Sequence, residues 1–248
     1  MRLLVSIKTS EEVRDAIEGG ADIIDVKDPS DGSLGLPDLD VVRDVIRIAK
    51  SVNGKELSIA LGDLGRASKS LKYIAFSVGM LGVDYVKVGL ALKDTDEAQL
   101  IARSVDDVLR SFSSVKLVLV GYADYRYTGT VEPMKVIDIA TRTSAKGVMI
   151  DTLKKNGQST FDLIEPRYFS TFTNTARKLG LFTAIAGSIR LQHLSMCRSL
   201  GFDVVGVRGA VCNGGRSGRI SRDLVKLFRR EIDRLCQKNC DVHGMIRV

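Results

Sequence analysis

Eight short apolar runs recur along the chain, and each is followed by an amphipathic segment with helical periodicity. They are rich in Val, Ile and Leu, which is typical of parallel strands buried on both faces. Eight consecutive strand–helix units predict an α/β fold, a single-domain (β/α)8 TIM barrel. A doubly wound open sheet is the alternative, but it usually has fewer strands, and no G-x-G-x-x-G follows the first run. The runs are 3–8, 22–27, 57–62, 85–90, 116–122, 147–152, 182–187 and 204–209.

The predicted barrel spans residues 1–236, and residues 237–248 are predicted as a C-terminal tail. The 248 residues contain no linker or low-complexity tract, and single α/β barrels reach this length. No apolar stretch approaches the roughly 20 residues that cross a membrane. The N-terminus becomes charged too soon for a secretory signal. We therefore expect a cytoplasmic protein with no membrane partner.

The formal net charge is +7, and residues 216–234 hold seven basic and three acidic residues. The positive charge of this segment has two explanations. It belongs to a helix face exposed to solvent, or it attracts phosphorylated metabolites toward a nearby site. No nucleic-acid-binding motif accompanies the segment, so no nucleic acid partner is expected.

Charged side chains lie at the ends of three predicted strands. Period-two alternation directs Asp25 and Lys27 inward from the second strand, because the apolar residues around them face the helices. The same alternation directs Lys87 inward from the fourth strand and Asp151 from the sixth, with Lys155 in the following loop. The active-site residues of TIM-barrel enzymes lie at the C-terminal ends of the strands. The four strand residues are therefore the candidate catalytic group, and Lys155 is a candidate from the loop.

Such a cluster suits chemistry at a carbonyl group. A lysine attacks a carbonyl as the neutral amine, and burial beside another cation lowers its pKa. A second amine or a carboxylate within hydrogen-bonding distance can then move protons at the adjacent carbon. A buried ion-pair network that stabilises the barrel is the structural alternative.

The loops after the last two strands are rich in glycine. Phosphate sites of TIM barrels commonly lie there, where backbone N–H groups can approach an anion. Gly187, Ser188, Arg208 and Gly209 are the candidate phosphate-binding residues. Cys236 and Cys240 stand four residues apart without further ligands, so no metal site is predicted.

Six motifs between residues 21 and 220 resemble, in the same order, those of the (5-formylfuran-3-yl)methyl phosphate synthase family, also called 4-(hydroxymethyl)-2-furancarboxaldehyde-phosphate synthase. They are ADIIDVKDPSDGSLG, DYVKVGL, GYADYR, IDTLKKNGQSTFD, AGSIR and VGVRGAVCNGGRSGRI. The resemblance implies a lyase of methanofuran biosynthesis that condenses two molecules of glyceraldehyde 3-phosphate, with loss of phosphate and water. It implies no metal and no organic cofactor.

The resemblance also implies roles for the candidate residues. Lys27 corresponds to the family's Schiff-base lysine and Lys87 to its proton-transferring lysine, with supporting roles for Asp25, Asp151 and Lys155. A homo-oligomer is expected. Two alternatives stay open: a class I aldolase-like triose-phosphate lyase, and a non-catalytic barrel that binds phosphate or nucleic acid.

Overall fold

Eight parallel strands close into a barrel within residues 1–52 and 54–244, whose backbone the computed structural model describes. Side chains are described for residues 1–52 and 54–237. Each strand pairs with the next along the chain, and the eighth pairs with the first, so the (β/α)8 TIM barrel is confirmed. The strands are β1 (Arg2–Ile7), β2 (Ile23–Val26), β3 (Glu56–Leu64), β4 (Tyr85–Leu90), β5 (Lys116–Tyr122), β6 (Gly147–Asp151), β7 (Phe182–Ile185) and β8 (Val204–Val207).

Helices follow the strands and cover the outside of the barrel. Asp38 and Asp94 begin two of them, where each carboxylate accepts hydrogen bonds from backbone N–H groups of the first turn. In the described part of the chain, none of these helices is long and apolar enough to cross a membrane. The helices are α1 (Glu12–Glu18), α2 (Leu39–Ala49), α3 (Ser70–Met80), α4 (Thr95–Leu109), α5 (Tyr125–Thr128), α6 (Pro133–Ala140), α7 (Thr160–Leu163), α8 (Pro166–Lys178), α9 (Leu194–Ser199) and α10 (Arg222–Gly244).

Two boundaries differ from the sequence-based prediction. Strand β3 continues to Leu64 rather than ending at residue 62, because its pairing with β4 shifts register between Ala60 and Asp63 and then resumes. Helix α10 continues through Gly244, beyond the predicted barrel end at residue 236. The side chains of residues 238–248 and the backbone of 245–248 lie outside the described residues, so the tail stays a prediction.

A two-stranded hairpin extends the loop after β8. Its strands are β9 (Cys212–Asn213) and β10 (Arg219–Ile220), and they pair antiparallel. A 3₁₀ turn, Gly209–Val211, connects β8 to this hairpin. The hairpin places residues 213–218 above the C-terminal end of the barrel.

Alternation along the strands divides the core into two clusters. Residues such as Ile24, Val26, Val86 and Val88 pack between the strands and the helices, as predicted. A smaller cluster fills the barrel interior, and it includes Tyr85 together with Leu4, Ile23, Val118 and Met149. The polar side chains that share the interior-facing positions therefore lie above this apolar plug, at the C-terminal end.

The outer core depends on aromatic packing around α8. Phe169 is fully buried, and its ring contacts those of Phe161 and Phe202 edge to face, with centroids 5.2 and 6.0 Å away. Phe169→Ala should therefore lower the free energy of unfolding by about 3–5 kcal/mol, measured by urea denaturation. Tyr73→Ala, at a side chain that is 77% exposed, is the matched control and should change it by less than about 0.5 kcal/mol. Equal effects of the two substitutions would contradict this packing.

Candidate active site

A cavity of about 640 Å³ opens at the C-terminal ends of the strands. Lys27, Lys87, Asp151 and Lys155 line it, as do the loops after β7 and β8. Asp25 lies directly beneath, bound to Lys87. The structure thus brings together the four catalytic candidates that the strand pattern selected and Lys155, the candidate from the following loop.

Asp25 and Lys87 form a buried ion pair with 2.7 Å between Oδ2 and Nζ. Strand register places Ser6 beside Asp25 on the neighbouring strand, and Lys87 beside the small residue Ala60 of β3. The Ser6 hydroxyl donates to the same carboxylate oxygen at 2.7 Å. The other oxygen, Oδ1, is buried and accepts no hydrogen bond from the described residues. Lys87 and Ser6 therefore fix Oδ2 of Asp25, while Oδ1 has no hydrogen-bond partner among the described residues.

Asp151 and Lys155 form a second pair above the first. Lys155 Nζ donates to Asp151 Oδ1 at 2.7 Å and to Thr152 Oγ1 at 3.0 Å. Lys154 is exposed, so of the two adjacent lysines it is Lys155 that reaches the cavity. Burial on its own raises the pKa of Asp151, but Lys155 and Lys27 outweigh burial and hold that pKa below its ordinary value. Asp151 therefore remains a carboxylate.

The charges of both pairs act on Lys27, but Lys27 forms no ion pair with either aspartate. Its Nζ is buried and donates to the Ser33 carbonyl at 2.9 Å, and it forms no ion pair within the described residues. Burial lowers the pKa of Lys27 to about 7, and the positive charges of Lys87 and Lys155 act in the same direction. Asp151 and Asp25 oppose the shift without cancelling it. A substantial fraction of Lys27 is thus a neutral, nucleophilic amine near neutral pH.

Asp63, at the end of β3, holds the loop that receives Lys27. Its Oδ2 accepts the backbone N–H groups of Ser33 and Leu34, and its Oδ1 accepts the hydroxyl of Tyr122. Gly89 makes the arrangement possible, because a Cβ there would lie against the Tyr122 hydroxyl and 3.0 Å from Asp63. The Ser33 carbonyl that binds Lys27 is therefore fixed through Asp63.

The predicted phosphate-binding residues lie together at the cavity. Gly187 and Ser188 both have positive φ, at +91° and +52°, and a Cβ on Gly187 would come within 2.8 Å of Thr152. A non-glycine residue in this left-handed region is uncommon and marks a constrained, often functional, turn. The backbone N–H groups of Gly187, Ser188 and Gly209 donate no hydrogen bond within the described residues. They are available to an anion, and the phosphate site stays a prediction.

The side chain of Arg208, unlike the backbone N–H groups of Gly187, Ser188 and Gly209, has no donor left for an anion. Its guanidinium donates to Glu12 at 3.0 and 3.3 Å and to the carbonyls of Ser6, Arg216 and Gly218 at 3.0 to 3.1 Å. All five N–H groups are therefore used within the protein. Any contact of this residue with phosphate would come from its backbone N–H.

Several polar residues of the site were not selected from the sequence. Ser6 could have been identified from the sequence, because it is the one polar residue at an inward position of β1 near the C-terminal end of that strand. Glu12 looked like an ordinary acidic residue of a helix start, and its contact with Arg208 spans 196 positions. Asp124, which accepts the N–H groups of Leu153 and Lys154 at 2.8 Å, stands in a loop without a pattern of its own.

No group of three or more His, Cys, Asp and Glu side chains in the described part of the chain is arranged to hold a metal ion. The absence of a metal and of an organic cofactor from the reaction stays a prediction.

The reactivity of Lys27 should rise through neutral pH. Its amine is half neutral near its pKa of about 7, whereas an ordinary lysine, with a pKa of about 10.4, is almost wholly charged there. The rate of modification by an amine-reactive reagent, followed by peptide mapping, should therefore have its midpoint near pH 7. Asp151→Asn should move the midpoint lower, because it removes a charge that favours the ammonium form. Asp138→Asn, on an exposed side chain of α6, is the control. A midpoint above pH 9 would contradict a desolvated amine.

Asp63→Asn should loosen the loop that binds Lys27. The neutral amide presents donors as well as an acceptor to the N–H groups of Ser33 and Leu34, so their hydrogen bonds weaken. Hydrogen exchange at those two amides should accelerate about 10-fold or more. Asp31→Asn, at an exposed position of the same loop, should leave them unchanged. Unchanged exchange in Asp63→Asn would rule out a fixing role for this carboxylate.

Several solved structures share the barrel fold. A 3-hexulose-6-phosphate synthase has a TM-score of 0.61 and 16% identity, with 94% of this chain and 100% of that chain covered. The phosphoribosyl anthranilate isomerase of Thermus thermophilus has a TM-score of 0.59 and 12% identity, with 95% and 100% covered. At this identity the likeness supports the fold alone.

Sequence relatives are more specific. A family model described as 4-HFC-P synthase matches residues 3–229. The (5-formylfuran-3-yl)methyl phosphate synthase of Archaeoglobus fulgidus is 39% identical over 227 residues, covering 91% of this chain and 96% of that protein. The protein of the same name from Methanothermobacter thermautotrophicus is 38% identical over 236 residues, covering 94% and 99%. The chain therefore belongs to the (5-formylfuran-3-yl)methyl phosphate synthase family.

Proposed function

We propose that this protein condenses two molecules of glyceraldehyde 3-phosphate to (5-formylfuran-3-yl)methyl phosphate, as a carbon–oxygen lyase of methanofuran biosynthesis in the cytoplasm. The observation that carries the proposal is the buried Lys27 amine, whose pKa is about 7, beside two lysine–aspartate pairs. Membership of the family supports the choice of product. The partner is thus a small phosphorylated aldehyde. A homo-oligomer, and the absence of nucleic acid and membrane partners, stay predictions.

Lys27 begins the reaction as a nucleophile. Its neutral amine adds to the aldehyde carbon of one triose, and the former carbonyl oxygen leaves as water to give an imine. Protonation of the imine makes the adjacent C–H bond acidic, and loss of that proton gives an enamine. The enamine then expels phosphate from its own third carbon, and that carbon, now the end of an enol, attacks the ketone carbon of the second triose in its dihydroxyacetone phosphate form. After the ring has closed, water hydrolyses the imine, which releases the formyl group of the product and returns Lys27 as the free amine.

Lys87 and Asp25 serve as the proton-transfer pair. Lys87 Nζ can pass a proton to Asp25 across 2.7 Å and then, as an amine, remove a proton next to a carbonyl. That step interconverts glyceraldehyde 3-phosphate and dihydroxyacetone phosphate, so both triose isomers can be present. The Ser6 hydroxyl, which donates to the same oxygen of Asp25, keeps the carboxylate aimed at Lys87.

Asp151 and Lys155 act on the other side of Lys27. Asp151 is a carboxylate and accepts protons released during cyclisation, while Lys155 supplies a proton to a departing hydroxyl. Two trioses supply all six carbons of the product, which keeps one phosphate, so one phosphate and two waters leave in total. Formation of the aromatic ring makes the last step effectively irreversible.

Borohydride trapping tests the proposal. The parent protein, incubated with glyceraldehyde 3-phosphate and reduced, should gain a triose-derived mass on the peptide that holds Lys27. Lys27→Met should lose the adduct and the furan aldehyde, which is measured by its ultraviolet absorbance. Lys155→Met should lower the rate of product formation by about 10²-fold or more, since it removes a positioned proton donor. Lys154→Met is the matched control, because that side chain is exposed beside it and should leave the rate unchanged.

The other outcomes separate the alternatives. An adduct with no furan chromophore would contradict the synthase and favour an aldolase-like lyase. Product without an adduct would overturn the imine route. Neither adduct nor product would favour a barrel that only binds phosphate.

A further inference from the structure

The cavity contains more positive charge than its carboxylates neutralise. Of the basic side chains that line it, Lys87, Lys155 and Arg208 each bind a carboxylate, at 2.7, 2.7 and 3.0 Å. Arg190 and Arg216 line it as well and form no ion pair within the residues whose side chains are described. Two guanidinium groups that each donate to a backbone carbonyl but have no ion-pair partner among those residues therefore face a site whose proposed reaction begins with two phosphates.

The two arginines lie in different loops. Arg190 is exposed and follows Gly187 and Ser188 in the loop after β7. Arg216 is half-buried and belongs to the loop between β9 and β10, after β8. Of the seven basic residues in 216–234, Arg216 is the one that lines the described cavity. Most of the paired members of that segment instead bind acidic residues on the outside of the barrel, as Arg222 binds Glu18 at 2.7 Å.

Arg216 reaches the loop that holds the nucleophile. Its Nη2 donates to the Gly32 carbonyl at 2.7 Å, and the next carbonyl, that of Ser33, accepts the amine of Lys27 at 2.9 Å. Neighbouring Cα atoms are about 3.8 Å apart, so the guanidinium and the amine bind adjoining peptide units. Both side chains line the same cavity, so the phosphate of a three-carbon substrate attached to Lys27 can be directed toward Arg216.

The backbone that presents Arg216 is fixed. Gly214 and Gly215 have φ of +80° and +78°, which lets the chain turn back over the barrel. The guanidinium of Arg208, held by Glu12, donates to the carbonyls of Arg216 and Gly218 at 3.0 and 3.1 Å. The buried pair of Arg208 and Glu12 thus holds this turn, and only the side chain of Arg216 remains free to meet a ligand.

A phosphate suits the free guanidinium. Its planar fork matches two phosphate oxygens, and such charge-assisted hydrogen bonds are stronger than neutral ones. Partial burial lowers the pKa of Arg216, because it withdraws the cation from water. An anion at this position would compensate for the lost hydration.

We infer that Arg216 binds the phosphate of the triose attached to Lys27, as an anion subsite separate from the backbone N–H groups of Gly187 and Ser188. The inference rests on the proposed function, because two phosphates must be held at once only if two trioses react together. The second phosphate belongs to the Gly187–Ser188 turn, where Arg190 follows.

Trapping with and without a phosphate tests this subsite. Arg216→Gln should slow the formation of the borohydride-trapped adduct on Lys27 by about 10- to 100-fold with glyceraldehyde 3-phosphate. With unphosphorylated glyceraldehyde, the rate should match that of the parent. Arg216→Lys should recover part of the loss, since it restores charge without the fork. Arg219→Gln is the control, because its exposed side chain contacts Glu11 and Asp15 outside the cavity.

Two results would overturn the inference. An unchanged rate with glyceraldehyde 3-phosphate would mean that Arg216 does not bind its phosphate. An equal loss with both aldehydes would mean that Arg216 acts on the position of Lys27 rather than on the phosphate.

Calorimetry with glycerol 3-phosphate separates this inference from the proposed function, because that compound has the phosphate but no carbonyl. The parent should bind two equivalents and Arg216→Gln one. The same number in both would overturn the subsite even if furan is produced. A loss of one site in a protein that makes no furan would support the subsite while the proposed function fails.

Discussion

A buried lysine amine without a carboxylate partner is the constraint around which the site is arranged. Lys27 loses hydration in the barrel, and the ammonium groups of Lys87 and Lys155 add repulsion, so its proton is held weakly. Each of those two lysines is neutralised by an aspartate, which is why the barrel tolerates them. If either aspartate bound Lys27 directly, the amine would stay charged and could not attack a carbonyl. The separation of paired and unpaired lysines therefore decides which of them can be the nucleophile.

The position of that amine depends on contacts that run across the barrel. Lys27 binds a loop carbonyl, the loop binds Asp63 on β3, and Asp63 binds Tyr122 on β5. Two residues after Tyr122, Asp124 fixes the backbone beside Lys155. These contacts join the loops to strands β3 and β5 and to one another. Loops that would otherwise be mobile thus present functional groups from a rigid frame.

Much of this arrangement follows from the order of residues. Period-two alternation suffices to place Asp25 and Lys87 inside the barrel, since Ile24, Val26 and the valines around Lys87 occupy the outer core. Asp63 could not be found in this way, because the register shift after Ala60 changes which side chains of β3 face inward. The contact of Arg208 with Glu12 joins positions 196 apart and becomes visible only when β8 closes against β1.

Arg208 and Arg216 illustrate why residue type alone does not define an anion site. Both are arginines of the same Gly-rich segment, and both line the cavity. All five N–H groups of the Arg208 guanidinium donate to Glu12 or to backbone carbonyls. Glu12 neutralises its charge, and Arg208 holds the turn that contains Arg216. Arg216 donates to one carbonyl and has no ion-pair partner among the residues whose side chains are described, although Asp151 and Asp63 attract it from a longer distance. Because a charge attracts a ligand only to the extent that the protein leaves it unpaired, the pairing of the first arginine is what makes the second available.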